Sequence, residues 1–230
     1  MKIKAYSPVS GQVVAVNKPA DWTSFDVVNK IRRMTGIKKV GHAGTLDPFA
    51  TGILLICLGP ATKQSSALMD LPKEYVAHLS LGKETDTMDL TGKTILEKPL
   101  PDLTEQAILD VLTTFSGNIE QEIPAYSAAK FKGKRLYKLA REGKEVPSLF
   151  KKVAIHDIEL LEFGPDFIQI RVLCGRGTYI RTLGRDIARK LNTAGHLTAL
   201  TRTAVGEHNI TDALTIEDFQ NQMQAHENIS

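Results

Sequence analysis

Two runs rich in strand-forming residues, 153–163 and 166–174, are separated by little more than Gly164-Pro165-Asp166. So short a connection can only reverse the chain, because parallel strands need a crossover of a dozen or more residues. An antiparallel pair is therefore built into the sequence, which argues against a doubly wound parallel sheet. Elsewhere strand and helix periods alternate irregularly. Strands are expected at 13–16 (ending at Asn17-Lys18-Pro19), 53–58 (stopped by Gly59-Pro60), 73–82, just before Glu97 and at 196–205. In 73–82, Tyr75, Ala77, Leu79 and Leu81 share one face. A helix with Ser24 as N-cap carries Val27, Val28, Ile31 and Met34 on one side and closes at Gly36. Asp102-x-x-Glu105 has the form of a capping box for a helix through Phe115, stopped by Gly117. Further helices are expected at 136–142, 179–192 and 215–224, with loops at 41–52, 85–92 and 124–135. The fold class is α+β: a mixed, mostly antiparallel sheet flanked by helices. No linker divides the chain, so one domain over 1–230 is expected.

Hydrophobic residues make up 42% of the chain, enough for a sizeable core. The longest aliphatic-type run, Ile53–Leu58, is too short to cross a bilayer. The first residues carry no apolar segment of a secretory leader, so a cytoplasmic protein without membrane attachment is expected. Cys57 and Cys174 stand apart from any metal-like spacing and read as two buried free thiols. Net charge is only +3, but it is unevenly spread. Residues 29–42 hold five cations and no acid, 128–152 nine cations and two acids, and 171–202 seven cations and one acid. If these stretches share a face they form the footprint of a polyanion ligand; if scattered, they are ordinary solvated surfaces.

The most unusual segment is Gly41-His42-Ala43-Gly44-Thr45-Leu46-Asp47-Pro48-Phe49-Ala50-Thr51-Gly52. Its three glycines permit tight turns and close approach of a ligand, around one carboxylate and one imidazole. It is not a phosphate-binding P-loop, since no Gly-Lys-Ser/Thr follows. Taken singly, Asp47 before Pro48 also fits an Asx-type turn, and His42 a structural histidine.

In its order of motifs the chain resembles the TruB family of tRNA pseudouridine synthases. GHAGTLDPFATGIL is similar to the family's catalytic motif. Lys73-Glu74-Tyr75 and Leu81-Gly82-x-x-Thr85-Asp86-Thr87-x-Asp89-x-Thr91-Gly92 are similar to its second motif. Pro124-Ala125-Tyr126-Ser127-Ala128-x-Lys130 through Gly143 is similar to its RNA-gripping insertion. Cys174-x-x-Gly177-Thr178-Tyr179-Ile180-Arg181-Thr182 and Leu200-x-Arg202 are similar to its last two motifs.

The resemblance implies the pseudouridine synthase catalytic fold and isomerisation of uridine 55 in the T-loop of tRNA. Asp47 would be the essential carboxylate, acting as nucleophile at the sugar or as the base that starts elimination. Arg181 would be its fixed cation, and Tyr75 the aromatic stacked on the flipped uracil. His42 would stack where the target base had been, with Tyr179 and Leu200 as pocket walls. Lys18, Lys130 and Arg202 would be further substrate-binding residues. Residues 124–152 would form a flap over the T-arm, and the acidic tail 207–230 would not supply the PUA-type module that many members carry. The reaction is an internal rearrangement, so no cofactor and no metal are expected. The enzyme is expected to act on tRNA as a monomer with no obligate protein partner. Two competing readings are a non-catalytic RNA binder on the same scaffold and a metal-dependent enzyme using Asp86, Asp89 and His42. The presence of both Asp47 and Arg181 weighs against the first, and the missing third acid against the second.

Overall fold

Buried and half-buried positions alternate along β1 (Val13–Lys18), two residues longer than expected. A computed structural model provides this view and describes residues 11–227; the opening residues and the last three of the acidic tail lie outside it. Helix α1 (Ser24–Thr35) begins one residue before the expected boundary. Its cap is Thr23, whose hydroxyl accepts from the Asp26 amide (3.1 Å) while the Asp26 carboxylate accepts from the Thr23 amide (2.8 Å). Ser24 is not the cap because its hydroxyl is used elsewhere, as described below. Gly36, at φ 67°, closes the helix.

β2 (Val40–Ala43) runs into the expected 41–52 loop, and β3 (Thr51–Leu58) starts two residues early. β3 pairs antiparallel with β1 (Val13↔Cys57 to Lys18↔Gly52) and with β2 (Val40↔Leu58 to Ala43↔Leu55). It is buried on both faces, which is why its sequence is apolar without alternation. One face packs Leu54, Ile56 and Leu58 against Val14, Val16, Val27, Ile31 and Phe219. The other packs Ile53 and Leu55 against Ala43, Val205, Leu68 and Met69. A 3-10 turn (Gly59–Gln64) and the short α2 (Ser65–Asp70) follow; neither had a periodic signal long enough to read.

β4 (Lys73–Leu81) shows the expected strict alternation of burial. β5 (Lys83–Thr85) and β6 (Thr94–Glu97) pair as a hairpin around the 85–92 loop. Helix α3 (Glu105–Thr113) is capped by Thr104, not by the expected Asp102. Gly117, at φ 86°, does not end that helix but opens an unexpected strand, β7 (Gly117–Glu122). Next come β8 (Lys130–Phe131), β9 (Lys134–Arg135) and α4 (Leu136–Arg141). β10 (Phe150–Phe163) and β11 (Phe167–Cys174) form the expected antiparallel hairpin. The chain ends with α5 (Ile180–Lys190), β12 (Gly195–Val205), β13 (His208–Asn209) and α6 (Ile216–Glu227).

Contacts divide the chain into two compact units, one comprising residues through Tyr75 and from Leu200 onward, the other Val76–Ala199. β4 and β12 each begin in one unit and end in the other. In the first unit, β3 also pairs parallel with β12 (Thr201↔Thr51, Arg202↔Gly52). In the second, the strand order is β12-β4-β11-β10-β7, with β10 antiparallel to both neighbours. Gly184 lets α5 lie close on this sheet: a Cβ there would come 2.9 Å from Leu197 and 3.3 Å from Leu79. The sheet is thus mixed and mostly antiparallel with flanking helices, as expected. Cys57 and Cys174 are buried, and no disulfide joins them. Among the described residues no helix is long and apolar enough to cross a membrane.

Candidate active site

In the first unit the glycine-rich segment becomes the end of β2, a turn and the start of β3. The Asp47 carbonyl accepts from the Ala50 amide at 3.1 Å, so Asp47-Pro48-Phe49-Ala50 is a true turn with proline at its favoured second position. Asp47 is half-buried. The residues on either side of it are each held by a buried side chain. On one side, the Ser24 hydroxyl accepts from the Leu46 amide (2.9 Å) and donates to the Leu46 carbonyl (3.2 Å). On the other, the Lys18 ammonium donates to the carbonyls of Pro48 (3.0 Å), Trp22 (2.6 Å) and Pro19 (2.8 Å). Lys18 is fully buried, so burial lowers its pKa to about 8 despite the opposing pull of Asp21 and Asp47. Its three donors are thus spent on backbone carbonyls, one in the Asp47 turn and two in the connection from β1 to α1, rather than facing a ligand.

Arg202, expected as a substrate contact, is also buried. Its Nε donates to the Ile53 carbonyl (2.7 Å) and its Nη2 to the Gly44 carbonyl (3.1 Å), which ties together the two ends of the same loop. Gly52 makes this closure possible. It sits at φ 104°, and a Cβ there would fall 2.2 Å from the Arg202 carbonyl oxygen. His42 lies on β2 opposite Ile56. Burial, reinforced by the Arg202 charge, lowers its pKa against the raising effect of the Gly44 backbone, which favours the neutral imidazole. Tyr75 belongs to the buried face of β4, as the alternation required, and Leu200 is buried on β12.

The second unit holds Arg181, Tyr179 and Lys130. Arg181, in the first turn of α5, is 3% exposed. It donates to the carbonyls of Thr87 (2.7 Å) and Tyr126 (2.9 Å) and lies 3.6 Å from the Asp89 carboxylate. The Thr/Asp motif is a self-bonded loop. One Asp89 oxygen accepts from the Thr87 hydroxyl, the Thr91 amide and the Thr91 hydroxyl at 2.8, 2.9 and 2.6 Å. An Asp86 oxygen accepts from the Lys93 amide. Gly92 is required because a Cβ would meet the Thr87 hydroxyl at 2.3 Å. The loop's own geometry thus accounts for these carboxylates and hydroxyls.

Tyr179 precedes α5 and is held by a residue the sequence did not single out. The buried Gln121 amide accepts from Tyr179 N–H (2.8 Å) and donates to the Tyr179 carbonyl (3.0 Å). The Lys151 ammonium sits 4.0 Å from the centre of the Tyr179 ring and donates to the Gly177 carbonyl. Gln121 gave no sequence signal because β7 was itself unread. In the sequence Ser24 has only the signature of a helix cap, and Lys151 is only one charge of a basic stretch.

Lys130 is exposed on the small hairpin β8–β9, whose tip residues Lys132 and Gly133 have consecutive positive φ (47° and 80°). Lys130, Lys134, Arg135 and Lys138 line a concavity of about 450 Å³ that includes a single acid, Glu142. The 171–202 stretch is different. Arg171 pairs with Asp157 and Glu159, Arg185 with Glu122 and Asp186, and Arg189 with Glu84.

The profile described as TruB family pseudouridylate synthase (N terminal domain) matches residues 32–180, and that of the tRNA pseudouridylate synthase B C-terminal domain matches 181–229. The tRNA pseudouridine synthase B of Phocaeicola vulgatus is 47% identical over 215 residues, 91% of this chain and 92% of that protein. Its namesake from Caldanaerobacter subterraneus subsp. tengcongensis is 45% identical, over 90% of this chain and 73% of its own. Among solved structures, a Cbf5-Nop10-Gar1 complex aligns with TM-score 0.73 and 28% identity, covering 95% of this chain and 56% of that one. An H/ACA RNP bound to a substrate RNA containing 2′-deoxyuridine aligns with TM-score 0.72 and 26% identity, covering 97% of this chain and 57% of that one. The chain thus spans little more than half the length of those structural relatives.

Proposed function

Because this chain belongs to the TruB family of pseudouridylate synthases, we propose that it isomerises uridine 55 in the T-loop of tRNA, with Asp47 as the catalytic carboxylate. The coarser activity, tRNA pseudouridine synthesis by an isomerase, follows from the family and from relatives matched along most of their length. The observation that carries the finer reading is the construction of the Asp47 turn. Leu46 is clamped by Ser24, Pro48 by Lys18, and the loop ends by Arg202. Three buried polar side chains spent on one exposed-edge turn make sense if one carboxylate must be held in place.

In this reading the N1–C1′ bond breaks, the uracil turns, C5 bonds to C1′ and the C5 proton leaves. Asp47 attacks C1′ or removes a proton to begin elimination. Arg181 is the permanent positive charge that the family reading assigns to the reaction. Tyr75 stacks on the uracil, with Tyr179 and Leu200 as walls. Extracting the base costs a few kcal/mol, and stacking of His42 and Tyr75 returns roughly 1–3 kcal/mol per base. Neutral His42 suits that task, since no charge has to be desolvated on stacking. Lys130 and the flap hairpin grip the T-arm backbone. Lys18 and Arg202 act through the loop they brace. The enzyme works in the cytoplasm without an obligate protein partner. The test is pseudouridine mapping on unmodified tRNA with wild type and Asp47→Asn. Modification at 55 by the wild type alone is expected, with tRNA binding retained by the variant. Modification elsewhere, or near-normal turnover by Asp47→Asn, overturns the reading.

A further inference from the structure

Lys151 opens the return strand of the flap, one residue into β10. Its surroundings differ from those of the exposed flap cations. The ammonium packs on the Tyr179 ring at 4.0 Å and donates to the Gly177 carbonyl. Gly177 permits that approach, because it sits at φ 85° and a Cβ there would come 3.0 Å from Nζ. Among the described residues no carboxylate pairs with Lys151. Burial alone lowers its pKa, to about 8, and no neighbouring acid pulls it back. A half-buried charge gains from a nearby anion, and this one is offered only an aromatic face and one carbonyl. Beside it, α5 starts with no side-chain cap and no acid in its first turn, so the positive end of the helix dipole is uncompensated too.

We propose that Lys151 binds a phosphate of the tRNA substrate and that the RNA is its missing counterion. The inference rests on the tRNA reading above and refines it. The residue that backs the pocket-wall tyrosine also holds the backbone of the nucleotide that enters. Lys151 is thus a substrate-binding residue, with one proton on Gly177 and the others free for the anion.

The test is the salt dependence of T-arm stem-loop binding by full-length wild type, Lys151→Met, Lys151→Gln and Lys151→Arg. The neutral variants should bind about tenfold more weakly, and the slope of log affinity against log salt should fall by about 0.7–0.9. Lys151→Arg should restore the slope. The thermal midpoint of Lys151→Met should be unchanged or higher, because a half-buried charge without an acidic partner has been removed. If Lys151→Met misfolds, Lys151→Gln gives the same comparison with a donor for Gly177 retained. Wild-type affinity and slope in the neutral variants overturn the proposal. So does weaker binding with an unchanged slope, which would make Lys151 only a prop for Tyr179. If the wild type fails to bind the stem-loop, the tRNA reading falls first and this one with it.

Discussion

Replacing Ser24 with alanine removes one oxygen that holds both backbone groups of Leu46, the residue immediately before Asp47. The site is 3% exposed, and the bonds are 2.9 and 3.2 Å long. The Leu46 N–H would be left buried without a partner, at about 1–3 kcal/mol, and the carbonyl would lose a bond of about 1 kcal/mol. Partial relaxation toward solvent offsets some of this, so a stability loss of about 2 kcal/mol is expected. The catalytic effect follows from the same displacement. A carboxylate moved by about 1 Å costs up to about 100-fold in rate. Because Asp47 is read as acting in the chemical step, the loss should appear in kcat, with KM within about threefold of wild type. Urea unfolding gives the first quantity, and steady-state tritium release from [5-3H]uridine-labelled tRNA the second. Had Ser24 been the helix cap, its loss would cost about 1 kcal/mol of stability and leave kcat alone. That outcome, a stability loss with kcat within twofold of wild type, would refute the clamp.

Lys18 should produce two opposite pH dependences. Its native pKa is lowered to about 8 while the unfolded lysine titrates near 10.5, so the unfolded state binds more protons between those values and stability should rise with pH across that window. Over the same titration the clamp loses a proton, so kcat should fall above pH about 8, and Lys18→Met should lack that limb in kcat profiles. Arg181→Lys should lose more than about 90% of activity, since a point donor cannot reach the Thr87 and Tyr126 carbonyls and Asp89 together. Single-turnover assays on tRNA check this, and an active lysine variant would reduce Arg181 to a generic cation. Gly52→Ala should fail to fold, or lose about 3 kcal/mol or more by urea unfolding, because its Cβ overlaps the Arg202 backbone.

The parts of the fold that could be read were those whose period is long. β4 announced its buried face through Tyr75, Ala77, Leu79 and Leu81, and the β10–β11 hairpin through its turn. Short elements set by tertiary contacts could not be read. α2 is six residues long, and β7 is recognisable as a strand only once β10 pairs with it. The two misplaced caps share a cause. Ser, Thr and Asp are interchangeable at a helix start, and only the packing around Leu46 and Ala107 decides which oxygen is free. In the candidate site, residue types were legible and tasks were not. Lys18 and Arg202 look like phosphate contacts in a linear sequence, yet their donors face backbone carbonyls: those of Pro19, Trp22 and Pro48 for Lys18, and those of Gly44 and Ile53 for Arg202.

That reassignment also changes how the charge distribution is understood. Net charge over 171–202 overstates the surface available to a polyanion, because Arg171, Arg185 and Arg189 are matched by acids brought from β10, β7 and β5, and Arg181 and Arg202 are buried. Such cations release few counterions when RNA arrives, since a carboxylate already neutralises them or the fold encloses them. The flap is built differently. Lys130, Lys132, Lys134, Arg135 and Lys138 are exposed, and Lys132 is carried at the tip of a two-residue turn that needs left-handed backbone at both positions. A cationic hairpin of four paired residues has no core of its own to favour gathering like charges, so their grouping is explained by an external anion. If RNA is bound as proposed, removing the exposed flap cations should flatten the salt dependence of binding more than removing the paired arginines of 171–202. Arg185 and Arg189 of α5 serve the internal order of the second unit, and their substitution should be felt in stability before it is felt in ionic-strength dependence.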